Sequence, residues 1–122
     1  MKGLLNLRIP FLLLVLALGF IGPVTLHADS SALFFSTPSR QIQAGERFTI
    51  DVKVKSLLQS INAVSGTATF PESLVKIVSV SKDNSIVNFW TEGPSYQRNK
   101  ISFEGIILNP GFKGGSGQVF RI

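Results

Sequence analysis

Residues 48–55 (FTIDVKVK) alternate apolar and polar side chains without a break. Phe48, Ile50, Val52 and Val54 point one way; Thr49, Asp51, Lys53 and Lys55 point the other. Successive side chains of a β-strand project from opposite faces, so a period of two describes a strand with one buried and one wet face. A helix would scatter the same residues around its circumference. One wet face also implies an antiparallel sheet, because parallel sheets are covered on both sides.

The same period recurs along the chain. Residues 32–35 read as a short strand, followed by Thr37-Pro38-Ser39 and the turn Gln43-Ala44-Gly45-Glu46. Residues 62–70 form the next, with Val64, Gly66, Ala68 and Phe70 on one face. The opposite set, Ala63, Ser65, Thr67 and Thr69, is small and polar and is assigned outward. Pro71-Glu72-Ser73 ends this strand, since proline cannot donate to a ladder. Residues 75–81 read as a further strand closed by Lys82-Asp83-Asn84, and residues 86–90 as a shorter one ending before Glu92-Gly93-Pro94. Residues 100–108 turn Ile101 and Phe103 inward and Ser102 and Glu104 outward. Residues 109–117 read as a loop, too rich in glycine for a helix, and residues 118–122 begin a seventh strand. Short strands separated by turns, with no helical period, predict a β-sandwich.

The N-terminus follows another logic. Lys2 and Arg8 form a basic start, residues 9–21 (IPFLLLVLALGFI) are apolar and uncharged, and Leu26-His27-Ala28 sets a small residue before Asp29. These are the features of a secretion signal, with the cut between Ala28 and Asp29. The competing reading is an uncleaved anchor. The charge-free run 9–26 approaches the ~20 residues that span a bilayer, but Pro10, Gly22 and Pro23 interrupt it. The signal reading leaves one small domain, residues 29–122, that is secreted and works outside the cell or at its surface. Membrane contact is then confined to the N-terminal segment during export. A domain of this size buries only about 60–65% of its unfolded surface, so each element matters to stability.

Composition removes several function classes. The chain has 12 Lys and Arg against 7 Asp and Glu. Lys2 and Arg8 leave with the signal, so ten basic residues face seven acidic ones, scattered without a run. Nucleic acid is therefore not an expected partner. There is no cysteine, which excludes disulfides and thiolate zinc sites. The one histidine, His27, lies in the signal, so nucleophile–base triads and histidine-based metal sites lack their parts.

Paired carboxylates can hydrolyse glycosides, but Asp51 and Glu104 sit on outward strand faces, where solvated charge is the ordinary role. Asp83-Asn84 lacks the dense carboxylates of a calcium loop and reads as a turn. The glycines from Gly111 to Gly117 lack P-loop spacing. No catalytic residue, metal ligand or cofactor is assigned. Trp90 and Tyr96 are the chain's sole Trp and Tyr, and exposed aromatics stack on sugars or anchor partner proteins. Alternation sends Phe89 and Trp90 to opposite faces. Trp90 and Tyr96 are the candidate sugar-stacking residues, with packing in the core or at a sheet edge as the competing role.

The order of motifs resembles a cohesin domain. The resemblance rests on Ala32-Leu33-Phe34-Phe35, on Gln43-Ala44-Gly45-Glu46 leading into Phe48-Thr49-Ile50-Asp51-Val52, and on Ile61-Asn62-Ala63-Val64-Ser65-Gly66-Thr67. It continues through Phe70-Pro71-Glu72-Ser73-Leu74-Val75-Lys76-Ile77-Val78-Ser79-Val80, Ile101-Ser102-Phe103-Glu104-Gly105 and Asn109-Pro110-Gly111-Phe112-Lys113-Gly114. These pieces cover most of residues 32–122.

The resemblance implies an all-β, antiparallel jelly-roll β-sandwich of nine strands, similar to some carbohydrate-binding modules. It implies a non-catalytic protein that holds the calcium-loaded dockerin modules of other secreted proteins, often polysaccharide-degrading enzymes. Calcium belongs to the dockerin, and no cofactor is expected on this chain. The family's docking face is made by the strands matching residues 63–69, 86–90 and 101–104. That makes Ser65, Thr67, Thr69, Ser102 and Glu104 the implied contacts. Two features depart from the family pattern. Phe70-Pro71 stands where an aromatic-Asp-Pro step is common, and the family's sandwich continues for two strands beyond the one at Phe120. The resemblance therefore implies a domain incomplete at its C-terminus. The alternative functions are a carbohydrate-binding module for cell-wall polysaccharide and a structural cell-surface domain.

Overall fold

The computed structural model describes residues 30–122; the expected secretion signal and the expected cut between Ala28 and Asp29 lie outside them. Six strands form: β1 (Ala32–Ser36), β2 (Asp51–Ile61), β3 (Ala63–Thr69), β4 (Phe89–Gln97), β5 (Lys100–Ile106) and β6 (Phe112–Arg121). They make two antiparallel sheets, in the orders β1-β2-β6 and β3-β5-β4, and no helix occurs among the described residues. The inner faces share one core. Val52, Val54 and Phe120 come from the first sheet, and Val64, Ile101 and Phe103 from the second. The Phe103 and Phe120 rings meet edge to face across the gap, with centroids 4.9 Å apart and planes at 67°. The fold is all-β and sandwich-like.

Burial follows the alternation where strands pair regularly. Val52 and Val54 are buried while Lys53 and Lys55 reach solvent. The β2 ladder begins at Asp51 rather than Phe48 and runs past Lys55 to Ile61. β3 and β5 pair without interruption from Ala63 opposite Ile106 to Thr69 opposite Lys100. That unbroken register sends Val64, Ile101 and Phe103 inward and the small polar residues outward.

Three sequence expectations are corrected. The glycine-rich stretch is strand, not loop, from Phe112 onward. The Phe112 ring folds back over its own strand. A Cβ on Gly114 would lie 3.1 Å from Phe112 Cζ, and one on Gly117 2.7 Å from Phe112 Cζ and 2.8 Å from Ile86 Cδ1. These glycines make room for side chains to pack on the strand. Close by, the β2–β6 register shifts between Val52 and Lys53, making Val119 an extra residue on β6. Val119 and Phe120, although consecutive, are both fully buried, as a bulge permits.

The shorter strand expected over residues 86–90 instead starts at Phe89 and runs through Pro94 to Gln97. β4 is a sheet edge, where a missing N–H leaves no partner unpaired. Register shifts between Trp90 and Glu92, and between Glu92 and Ser95, absorb Gly93-Pro94. Residues 86–88 connect the sheets through single bonds, Ile86 N–H to Gln118 O at 2.8 Å and Asn88 N–H to Ile106 O at 3.0 Å. Finally, residues 75–81 form no strand. Their one bridge joins Ser81 to Arg121.

Candidate functional site

The outer face of the β3-β5-β4 sheet is built row by row from the strand register. Thr67, Ser102 and Ser95 lie side by side across the three strands. Thr69, Lys100 and Gln97 form the row on one side, and Ser65, Glu104 and Glu92 the row on the other. Ala63, Ile106 and Phe89 form an apolar row beyond that. All five residues expected on a partner face, Ser65, Thr67, Thr69, Ser102 and Glu104, therefore fall in adjacent rows of one surface. Ser102 is half-buried in the middle strand and the other four are exposed.

This face is fixed from beneath. Gly66 sits under it with Phe103 Cζ 3.0 Å from the position of an added Cβ, so β3 lies close on the core. β5 is bonded on both sides, which holds Ser102 and Glu104 on the most constrained strand of the sheet. Thr91 donates its hydroxyl hydrogen to Glu104 Oε1 at 2.8 Å and so orients that carboxylate. Sequence reading missed Thr91, Ser95, Gln97 and Lys100 as members of this surface. The signal for three of them was hidden by Pro94, which ended the expected strand too early. Lys100 was legible as the first residue of its strand.

The aromatic candidates divide differently. Trp90 lies opposite Gly105, is half-buried and packs against the core. Its Cε3 is 3.2 Å from where a Gly105 Cβ would stand, so glycine there makes space for the indole. Tyr96 lies opposite Ile101 on the edge strand and is exposed. The aromatic displayed on the outer face is Phe89, 59% exposed.

Asp51 and Glu104 sit on the outward faces of different sheets, so the sandwich separates the two carboxylates. Asp51 is engaged by Arg121 and Gln118, and the Arg121 guanidinium is the main cause that holds its carboxyl below the usual value. No group of three or more potential metal ligands forms among the described residues. No known protein family matches this chain, and neither does any curated protein or solved structure.

Proposed function

We propose that this protein is a non-catalytic extracellular binding module of the cohesin type, whose β3-β5-β4 face docks a dockerin-like domain of another secreted protein. One observation carries the reading: Ser65, Thr67, Thr69, Ser102 and Glu104 stand in adjacent rows of a single sheet surface. Short hydroxyl side chains lose little rotamer freedom when a partner orders them. The apolar row of Ala63, Ile106 and Phe89 supplies a hydrophobic contact beside the polar rows, the usual mixture at a protein interface. Calcium, in this reading, belongs to the dockerin.

The test is direct titration of the purified protein with calcium-loaded dockerin domains, repeated with chelator and with Thr67→Arg and Ser102→Arg. Calcium-dependent binding that both substitutions abolish supports the proposal. A folded protein that captures no dockerin overturns it. Polysaccharide binding lost in Tyr96→Ala would instead assign carbohydrate recognition. That reading is the weaker one, because Trp90, the larger of its two aromatics, packs against the core.

A further inference from the structure

One pole of the sandwich holds leucines out toward solvent. β2 and β5 end there, at Ile61 and Ile106, and β3 and β6 begin there, at Ala63 and Phe112. Between the pairs Ser56–Gly114 and Ile61–Phe112, β2 takes five steps where β6 takes two, so residues 57–60 arch out of the ladder. On this arch Leu57 is 53% exposed and Leu58 67%. Leu108, on the connection from β5 to β6, is 61% exposed.

Neither projection is loose. Ser56 Oγ donates to Gln59 O and Ser60 Oγ to Pro110 O, both at 2.6 Å. Asn88 Oδ1 accepts from Leu108 N–H at 2.9 Å, and Leu108 O accepts from Gly111 N–H at 2.7 Å. Gly111, with φ of 81°, lies so close to the arch that an added Cβ would stand 2.6 Å from Ile61 O. Two tied turns present the leucines, so little backbone freedom is lost when they are covered.

Two further observations bear on what covers them. The segments at this pole, 55–63, 87–91 and 105–116, carry Lys55 and Lys113, both exposed, and no Asp or Glu. The chain also enters the sandwich here: Ser31 Oγ and Ser56 Oγ share a hydrogen bond at 2.6 Å, and Ala32 pairs with Lys55. The uncharged apolar run 9–21 ends ten residues before Ser31, and ten residues reach at most about 35 Å.

We infer that this pole is a contact surface for anionic lipid, with Leu57, Leu58 and Leu108 in the bilayer interface and Lys55 and Lys113 over the headgroups. Protruding apolar side chains suit a fluid bilayer, which closes around them, whereas a protein partner needs a matching cavity for each. The lysines add attraction to a negative surface, and no carboxylate on these segments opposes it. The sequence reading confines membrane contact to the N-terminal segment; this inference adds the pole into which that segment leads. It stands apart from the docking proposal. With the pole on the membrane the strands rise from it, and the outer face of the β3-β5-β4 sheet stays open to a partner.

The chain has no cysteine, so one can be introduced to carry a polarity-sensitive dye. Gln59→Cys places the dye on the arch, and Ser73→Cys, in the turn beyond the far end of β3, is the control. When phosphatidylglycerol vesicles are added to the full chain, emission at position 59 should shift to the blue and iodide quenching there should fall severalfold. Position 73 should not respond. Leu57→Ser with Leu58→Ser and Leu108→Ser should abolish the shift while leaving the N-terminal segment intact, which separates the pole from that segment. Lys55→Gln with Lys113→Gln should shrink the shift toward the level given by neutral phosphatidylcholine vesicles. A dye at position 59 that stays in water with both kinds of vesicle overturns the inference. So does an equal shift at position 73, or one that survives the three serines. A shift produced by a calcium-loaded dockerin and not by lipid also overturns it, and assigns the leucines to a protein partner.

Discussion

Asp51 and Arg121, 70 residues apart in sequence, lock β2 to β6 through a forked contact: Arg121 Nε donates to Oδ1 at 2.6 Å and Nη2 to Oδ2 at 3.2 Å. Gln118 Nε2 donates to the same Oδ1 at 3.0 Å. The fork joins directly paired residues, one step along from the Ile50–Ile122 bonds. It therefore pins register where the β2–β6 ladder begins.

Stability should fall in acid through this contact. Arg121 holds the Asp51 carboxyl below its ordinary value, so the ionised form favours the folded state. Such a group stabilises the fold above its unfolded pKa, about 3.9 for Asp, and loses that contribution as pH drops through the lower folded value. Glu46, hydrogen-bonded by Arg40 and by the Gln43 N–H, is shifted the same way. Thermal melts from pH 7 down to pH 2 should show a falling acid limb, flattened in Asp51→Asn and further in Asp51→Asn with Glu46→Gln. An unchanged limb in the double variant would remove these carboxylates from the explanation.

Gly117 is expected to be intolerant of a side chain. Valine there must displace both the Phe112 ring and Ile86, and overpacking of this kind costs about 1–3 kcal/mol. Gly115→Ala is the control, because its Cβ would meet nothing nearer than Leu57 Cδ2 at 3.8 Å. Urea denaturation should separate the two, with Gly115→Ala near neutral.

Removal of the Phe120 ring should be among the most damaging single changes. Phe→Ala in a core costs about 3–5 kcal/mol, against a total of about 5–15 kcal/mol for a typical domain. Phe103→Leu removes the same ring contact from the other sheet. The double variant Phe120→Ala with Phe103→Leu should thus be less destabilised than the sum of the singles, because the rings touch. Full additivity in denaturation would mean that the edge-to-face contact contributes nothing.

Binding and stability should separate on the second sheet. Thr67→Arg sits on an exposed position and should change stability by no more than about 0.5 kcal/mol while abolishing dockerin binding. Trp90→Ala should do the reverse, lowering the thermal midpoint through lost packing and leaving docking by the folded fraction intact. Parallel melts and titrations of the two variants read both effects.

The surface was more legible in sequence than its borders. Alternation turned Ser65, Thr67, Thr69, Ser102 and Glu104 outward on their own strands, and the cohesin resemblance implied that those strands share one face. Thr91, Ser95 and Gln97 could not be placed there, since the tolerance of Pro94 depends on β4 being an edge strand with two register shifts. That is a property of the neighbour as much as of the segment. Trp90 was left open between core and surface for the same reason. Alternation separates it from Phe89 without saying which of the two faces inward.

By itself, then, the sequence determined the all-β class, the inward side chains of β2, β3 and β5, and the polar character of the outer face. Each is a local property, written in the period of two that an extended strand imposes on its side chains. Tertiary structure alone decided that residues 112–117 are strand, because their glycines matter only once the Phe112 and Ile86 side chains pack onto them. It also decided that residues 75–80 have no ladder despite their alternation. A side-chain pattern sets which way a segment faces, but a strand exists only when a second backbone lies close enough to bond it.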